Sequence, residues 1–326
     1  MSWTYPSGFS AATALIYANF VQQAYFQYYI DAKSQTEFGF PPYSQVISIP
    51  PSGYTLLYDI SYNEGILETD WTYFGYVAQL ANNPDSLVFA IRGTEDMIEW
   101  TDVLLASNTG ASGINKVQGN IHQGFAAIYK GLTYFKTGTN TQVPLSTILD
   151  NVSSIVVTGH SLGAALAILL TTDIALNYAS TSSTPSLTCY SFAAPNVGDP
   201  TFANFFNNLL TSSSYPLISA HYRVANGWDP VPNLPPNVFY DPFGSGEESD
   251  YMQVNAFCPV DSGMLGFLSD PHSMSSYAQG LNYVVTPPTP EEMEAARRRS
   301  QSGIDTSTPS NKGMRRVRAA TMNMRG

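Results

Sequence analysis

The sequence predicts an α/β protein with a mainly parallel central sheet flanked by helices. Three observations lead to this prediction. Patterns typical of buried strands alternate with helical patterns along the chain, as in sheets built with crossover helices. A β-branched run at 154–158 leads directly into Gly-His-Ser-Leu-Gly and an Ala/Leu-rich segment, which predicts a strand, a sharp turn and a helix. The 326 residues, 44% of them hydrophobic, can bury the core of one such domain.

The remaining elements are predicted in chain order from periodicity and turn residues. Residues 11–30 carry apolar side chains at helical spacing and are expected to form an amphipathic helix. Residues 71–91 predict a β-hairpin with a five-residue turn at 81–85, and a helix is expected to open near Ile121. After the helix that follows Ser161, the sequence predicts a strand at 187–193, a helix at 202–210, a strand at 220–225, a last strand at 251–257 and a helix starting at 270–277.

Composition divides the chain into two parts. Residues 1–285 are expected to form the α/β domain, and residues 286–326 a polar, basic tail with too little apolar content for a core, predicted to be disordered. The first part contains six Lys or Arg residues and 21 Asp or Glu residues, a net charge of −15, which would repel nucleic acid. A neutral substrate suits this part better.

Cysteine usage and hydropathy bear on the compartment. Cys189 lies in a predicted buried strand and is expected to be a free thiol. The first residues lack the basic region of a signal peptide, and the chain contains no apolar run long enough to predict a transmembrane helix. The compartment stays open between the cytoplasm and a mature secreted form, with peripheral binding to lipid compatible with either.

Ser161 is the candidate nucleophile. At the tip of a strained turn its hydroxyl would stand above the C-terminal edge of the sheet, where small residues at 159 and 163 avoid collisions with the neighbouring strand and helix. The backbone N–H of Leu162, at the start of the helix, points to where a carbonyl oxygen becomes negative during attack. Thr94, after the second strand of the hairpin, could complete this oxyanion hole. At both places an ordinary turn is the alternative interpretation.

A serine nucleophile needs a general base, and the chain contains four histidines. Hydrolases built on this kind of sheet place the acid and then the histidine after the serine. This order favours His272 over His122 and His221. His160 adjoins Ser161 on the turn and is expected to point away from it and to pack.

Three aspartates are candidates for the acid that orients the base. Asp173 lies on the helix about 18 Å from its start and is too far away. Asp199 and Asp229 both follow predicted strands, and the order rule does not separate them. Asp229 is favoured because the prolines at 230 and 232 fix its loop.

Residues 96–105 predict a short amphipathic helix. Met97, Trp100 and Leu104 share its apolar face, and the glycine-containing stretch that follows would let the helix act as a lid. An ordinary surface helix packed on the core is an equally good interpretation of this pattern.

Seven segments together resemble the class 3 (fungal-type) triacylglycerol lipase family. They occur in the family's order over about residues 70–280 and are Phe89–Thr94, Trp100 with Asp102, His122–Phe125, Gly159–Gly163, Phe192–Gly198, Asp229–Pro232 and His272.

The resemblance implies an α/β-hydrolase fold with a short helical lid near residues 96–105. It implies a catalytic triad of Ser161, Asp229 and His272. It also implies an oxyanion hole formed by Thr94 and Leu162. It also implies ester hydrolysis on acylglycerols or related lipids at a lipid–water interface, chemistry that needs no metal or cofactor. The chain departs from secreted fungal members, which look disulfide-stapled and carry signal peptides.

Other functions remain open at this point. Within the same chemistry, the alternatives are a phospholipase A1 and a feruloyl-type esterase. From another class, a catalytically silent lipase-like module would bind a lipid or protein partner, but such a module usually lacks a triad residue and here all three are present. The sequence leaves the acyl-chain preference, the headgroup and the oligomeric state undecided.

Overall fold

The structure is a computed structural model, and it describes residues 4–31, 50–63, 71–94, 109–111, 113–178, 185–211, 217–240, 248–263 and 270–295. Its strands are β1 Tyr54–Asn63, β2 Trp71–Leu80, β3 Asn83–Ile91, β4 Thr109–Ala111, β5 Asn120–His122, β6 Leu132–Lys136, β7 Ser154–His160, β8 Ser186–Phe192, β9 Ala220–Asn226, β10 Val238–Tyr240, β11 Glu248–Asp250 and β12 Phe257–Val260. Its α-helices are α1 Ala11–Asp31, α2 Gln123–Gly131, α3 Leu145–Ile148, α4 Leu162–Asp173, α5 Pro200–Thr211 and α6 Met274–Val285. A π-helical segment, Ile174–Tyr178, continues α4, and a 3₁₀ turn spans Val231–Asn233.

Eight strands form the central sheet, in the order β12-β9-β8-β7-β3-β2-β1-β6. The five strands from β12 to β3 run parallel to one another, and β2, β1 and β6 extend the sheet in antiparallel fashion. The prediction of a mainly parallel α/β sheet is therefore confirmed. The parallel part matters most for function, because loops that leave its carboxyl ends meet at one edge.

Helices cover both faces of the sheet, and the alternation of side chains in the strands explains why. In β3, Phe89 belongs to the core cluster that contains α4, whereas Val88 and Ala90 face α1. The residues of α4 from Leu162 to Thr172 are all buried, as expected for a helix packed on the middle of the sheet. Its N-terminus is consequently held in a fixed place at the sheet edge.

Most predicted elements match the structure, with two corrections. The helix predicted over 11–30 is α1, and the hairpin is β2–β3, but its turn is shorter than predicted because β3 already begins at Asn83. The strand predicted at 251–257 is wrong, since the last strand of the sheet is β12. This segment is irregular, but it contains buried apolar residues such as Tyr251 and Val254, whose pattern resembles that of a strand. The strand β12 was not predicted because it contains Pro259. It tolerates a proline because it lies at the sheet edge.

Cys189 and Cys258 are both free and buried, which confirms the prediction for Cys189. Burial raises the pKa of each thiol to about 12. No helix in the described ranges is long and apolar enough to span a membrane. The helix α6 ends at Val285, and residues 286–295 follow with a helical turn that starts at Pro290. The boundary of the tail predicted from residue 286 stays a prediction, and residues 296–326 lie outside the described part of the chain.

Candidate active site

Ser161 lies on a sharp turn between β7 and α4. Its backbone has φ 57° and ψ −124°, a positive φ that is strained for any residue other than glycine. The turn is held by the N–H of Ser161, which donates to the carbonyl of Phe192 at 3.0 Å, and by its carbonyl, which accepts from the N–H of Ala164 at 2.9 Å. Strain at a position fixed so firmly is characteristic of functional sites.

The two glycines of Gly-x-Ser-x-Gly are required by close contacts. A Cβ atom on Gly159 would lie 2.1 Å from the carbonyl oxygen of Gly163. A Cβ atom on Gly163 would lie 2.4 Å from the carbonyl oxygens of both Ile91 and Arg92 at the end of β3. The absence of side chains therefore lets α4 and the end of β3 approach the serine turn.

His272 and Asp229 form a buried hydrogen-bonded pair. The distance from His272 Nδ1 to Asp229 Oδ2 is 2.8 Å, and the two residues are only 5% and 4% exposed. The carboxylate also accepts hydrogen bonds from Tyr277 Oη at 2.7 Å and from the N–H of Val231 at 2.9 Å. Because Nδ1 is occupied by the carboxylate, Nε2 is the ring nitrogen of His272 left for base chemistry.

The loop with His272 is joined directly to the serine turn. His160 Nε2 lies 2.7 Å from the carbonyl oxygen of His272, and the centroids of the two rings are 4.7 Å apart. Ser161 Oγ and His272 Nε2 are both buried, and neither has a hydrogen-bond partner among the described residues. The acid–base hydrogen bond is thus formed and the serine–histidine one is not. In enzymes without substrate such bonds are often long and tighten in the substrate complex.

The two predicted oxyanion residues lie on either side of Ser161. Leu162 is the first residue of α4 and is buried. Thr94 follows the end of β3, where a Cβ atom on the preceding Gly93 would lie 2.8 Å from Ser161 Cβ. Thr94 Oγ1 is buried without a hydrogen-bond partner in the described ranges. The loop after β3 therefore contacts the serine turn closely enough for both segments to face one bound group.

Two further expectations concern the surroundings of this site. The lid residues Met97, Trp100 and Leu104 lie outside the described residues. Within the described ranges, no group of three His, Cys, Asp or Glu side chains is arranged to hold a metal ion.

Comparison with protein families identifies the chain. Residues 88–239 match the family model described as Lipase (class 3). This segment belongs to the class 3 lipase family. The matched segment contains Thr94, Ser161 and Asp229 and ends before His272.

Two curated relatives of the chain come from plants. The chain is 34% identical over 204 residues to phospholipase A1-II 7 of Oryza sativa subsp. indica, covering 53% of this chain and 48% of the relative. It is 30% identical over 256 residues to phospholipase A1-IIgamma of Arabidopsis thaliana, covering 71% of this chain and 55% of the relative. The chain thus spans about half the length of the curated relatives it matches.

Solved structures show the fold. The Lip2 lipase of Yarrowia lipolytica superposes with a TM-score of 0.51 at 19% sequence identity, over 80% of this chain and 82% of the lipase. The Rhizomucor miehei lipase with its propeptide, in a deletion mutant, gives a TM-score of 0.50 at 21% identity over 80% of this chain and 72% of that one. Together with the mainly parallel sheet, this likeness shows that the chain has the α/β-hydrolase fold.

The sequence does not favour His122, His221 or Asp199 for the site, and the side chains of these residues have other contacts. His122 Nδ1 accepts hydrogen bonds from backbone N–H groups at the start of α2. His221 Nε2 lies 2.9 Å from Ser191 Oγ inside the sheet layer. Asp199 caps α5 by accepting from the N–H of Phe202. All three side chains thus contribute to the framework of the domain.

Two contacts of the site were missed by the sequence argument. His160 was expected to pack, and it also hydrogen bonds to Tyr25 Oη at 2.8 Å and to the His272 loop. Tyr277 was not singled out, although it donates to Asp229 from the helix that follows His272. A hydroxyl on the buried face of an amphipathic helix is a signal that could have drawn attention to Tyr277. No local pattern indicates the contact of Tyr25.

Proposed function

We propose that the protein is a serine carboxylic-ester hydrolase that acts on lipid esters through Ser161, His272 and Asp229. The observation that carries this proposal is the 2.8 Å hydrogen bond between the buried His272 and Asp229. The loop of His272 is also hydrogen bonded, through its carbonyl oxygen and His160, to the turn in which Ser161 has a positive φ. Membership of the class 3 lipase family supports the same chemistry.

In the proposed acylation step, Ser161 Oγ attacks the ester carbonyl carbon while His272 Nε2 accepts the serine proton. Asp229 stabilises the resulting imidazolium through Nδ1. The carbonyl oxygen becomes an oxyanion and accepts hydrogen bonds from the N–H groups of Thr94 and Leu162. When the ester C–O bond breaks, the imidazolium gives its proton to the leaving alcohol oxygen.

Deacylation repeats these steps with water in place of the serine hydroxyl. His272 Nε2 takes a proton from water, whose oxygen attacks the acyl carbon. The bond to Ser161 Oγ then breaks, the serine recovers its proton from His272, and a fatty acid is released. The same two N–H donors stabilise the second oxyanion, so each group of the site acts in both halves of the reaction.

The proposed substrate is a neutral or zwitterionic acyl ester at a lipid–water interface. A net charge of −15 over residues 1–285 disfavours polyanions. The family resemblance favours triacylglycerol, with opening of the lid at Met97, Trp100 and Leu104 as the expected response to an interface.

Phospholipase A1 activity is the second candidate. It is favoured by the curated relatives, which bear that name in both rice and Arabidopsis at about 30% identity. The same serine chemistry would then release the acyl chain from the sn-1 position of a glycerophospholipid.

The first experiment measures hydrolysis of p-nitrophenyl esters from short to long acyl chains by the wild type and Ser161→Ala. We expect the wild type to be active, with a preference for longer chains, and the variant to lose at least about 10³-fold in kcat. A wild type that is inert on every ester contradicts the proposed function and favours a binding module.

A second assay separates the two lipid substrates. Fatty acid release is measured from trioleoylglycerol emulsions and from phosphatidylcholine vesicles labelled in the sn-1 or sn-2 chain. Faster release from trioleoylglycerol indicates a triacylglycerol lipase. Faster and sn-1-selective release from phosphatidylcholine indicates a phospholipase A1. Activity on short aryl esters alone rules out both and favours the feruloyl-type alternative.

A further inference from the structure

Gly93 is held through both of its peptide groups, the one that joins it to Thr94 and the one that precedes it. The carbonyl oxygen of Gly93 accepts a hydrogen bond from Arg92 Nη1 at 2.6 Å. The N–H of Gly93 donates to Tyr25 Oη at 2.8 Å. Because a trans peptide is planar, the direction of the Gly93 carbonyl fixes the opposite direction of the Thr94 N–H. Arg92 therefore orients the proposed oxyanion donor through this peptide, and Tyr25 holds the preceding peptide on the other side of Gly93.

Arg92 is itself firmly held. Its Nε donates to the carbonyl of Tyr73 on β2 at 2.7 Å, and its guanidinium carbon lies 3.7 Å from the centroid of the Tyr28 ring. The residue is only 3% exposed. The anchor of the Gly93 carbonyl is thus part of the rigid core.

Tyr25 connects Gly93 to the other two parts of the site. Its hydroxyl lies 2.8 Å from His160 Nδ1, and His160 Nε2 lies 2.7 Å from the carbonyl oxygen of His272. A line of hydrogen bonds therefore runs from Gly93 through Tyr25 and His160 to His272. It joins the loop after β3, the serine turn and the loop of the base.

The direction of each hydrogen bond in this line follows from chemistry. A carbonyl oxygen can only accept, so His160 Nε2 carries the proton toward His272. Burial, and then the neighbouring His272, lowers the pKa of His160 well below its usual value, so the ring is neutral and its Nδ1 is an acceptor. Tyr25 must then donate to Nδ1, and its oxygen accepts from the N–H of Gly93. Every group in the line has one compatible role.

We propose that Tyr25 is a positioning residue that aligns the oxyanion donor of Thr94 with the serine turn and the histidine base. The inference rests on the proposed hydrolase function. Stabilisation of an oxyanion depends on donors that are already in place when negative charge develops, and small displacements of the reacting groups reduce the rate strongly. Among the described residues, Tyr25 hydrogen bonds to neither Ser161 Oγ nor His272 Nε2, and it acts through Gly93 and His160.

The test compares Tyr25→Phe with Tyr76→Phe. Tyr76 lies on β2, and its buried hydroxyl donates to the carbonyl of Phe20 on α1 at 3.1 Å. It is a suitable control because it takes no part in the line from Gly93 to His272. Both variants keep the aromatic ring, but Tyr25→Phe loses two hydrogen bonds and Tyr76→Phe loses one. We expect small decreases in melting temperature for both, with the larger decrease in Tyr25→Phe.

Only Tyr25→Phe is expected to change catalysis. Its kcat should fall about 10- to 100-fold with KM changed less than about twofold, the effect of a misplaced oxyanion donor. The affinity for an alkylboronic acid, which forms a tetrahedral adduct with the serine, should fall by a similar factor. Tyr76→Phe should keep wild-type kcat and boronate affinity. His160→Gln, which retains a donor and an acceptor, should lower kcat less than Tyr25→Phe does.

Several outcomes would overturn the inference. Wild-type kcat and boronate affinity in Tyr25→Phe would exclude a positioning role, and so would equal losses in Tyr25→Phe and Tyr76→Phe. If Tyr25→Phe does not fold, wild-type kcat and boronate affinity in His160→Leu, which breaks the line by removing both ring nitrogens, would also exclude it. A wild type that hydrolyses no ester contradicts the proposed function first and the positioning role with it.

Discussion

Two serine–histidine pairs among the described residues differ in their hydrogen bonding, and the hydrogen-bonded pair is not the candidate site. Ser191 Oγ and His221 Nε2 are 2.9 Å apart and buried. Ser161 Oγ and His272 Nε2 have no hydrogen-bond partner within the described ranges. A short distance between a serine and a histidine therefore does not by itself select a candidate site, and two other properties separate the pairs.

The first property is the charge beside the histidine. Burial, and then the positive charge of Arg223, lowers the pKa of His221 to about 3, so this ring resists protonation. His272 instead bonds to the carboxylate of Asp229. A general base must hold the serine proton as an imidazolium during the reaction, which a neighbouring carboxylate favours and a neighbouring guanidinium opposes.

The second property is the backbone position of the serine. Ser191 lies within a regular strand, paired with Gly159 on one side and Arg223 on the other. Ser161 lies one residue beyond the end of β7, with positive φ and at the start of α4. Only Ser161 has helix N–H groups and the loop after β3 beside it. The position of the serine at the sheet edge and the carboxylate beside the histidine therefore distinguish the candidate site.

The largest expected effect separates the two serines. Ser161→Ala should lower kcat for ester hydrolysis by at least about 10³-fold and abolish labelling by a fluorophosphonate, because the nucleophile is lost. Ser191→Ala should keep near wild-type kcat and labelling. It should lower the melting temperature instead, because His221 loses a buried hydrogen bond.

Activity and thermal unfolding are measured on both variants in parallel. A large loss of kcat in a folded Ser191→Ala variant, or fluorophosphonate labelling that persists in Ser161→Ala, would reverse the assignment of the two pairs.

An intermediate effect tests the role of the acid. Asp229→Asn replaces the charged partner of His272 with a neutral amide of the same shape and should lower kcat by about 10³- to 10⁴-fold. Tyr277→Phe removes only one of the donors to this carboxylate and should lower kcat by about 3- to 10-fold. Steady-state kinetics at saturating ester give both values. Equal losses in the two variants would mean that the charge of Asp229 has no special role.

The sequence predicted those features that depend on local pattern. The strand, turn and helix around Ser161 follow from β-branched residues, close-packed glycines and an Ala/Leu run, all within 17 residues. His272 and Asp229 were predicted by chain order and loop prolines, and the structure brings them to 2.8 Å. The roles of these residues remain a proposal, but their proximity needed no structural information.

Features that depend on distant contacts or weak patterns were not predicted. Tyr25 and His160 are 135 positions apart, so no spacing rule links them. The strands β1, β6 and β12 are less deeply buried or interrupted by Pro259, and their patterns did not identify them. β6 and β12 form the two edges of the sheet, and edge strands have one free side and fewer constraints on composition than central strands. Their absence from the prediction left the parallel strands β3, β7, β8 and β9, and hence the candidate site, unaffected.

The smallest expected effect concerns the stability that His221 gives as a neutral, buried ring. With a pKa of about 3 in the folded chain and about 6.5 when unfolded, the unfolded state binds the extra proton first as the pH falls. The contribution is complete above pH 6.5 and is lost toward pH 3, by at most about 1.4 kcal/mol per pH unit. His221→Gln should therefore show a shallower decline in the free energy of unfolding, measured with urea between pH 7 and pH 4. His160 is unchanged in both proteins and adds the same decline to each, so parallel curves would mean that His221 is protonated equally in the folded and unfolded states.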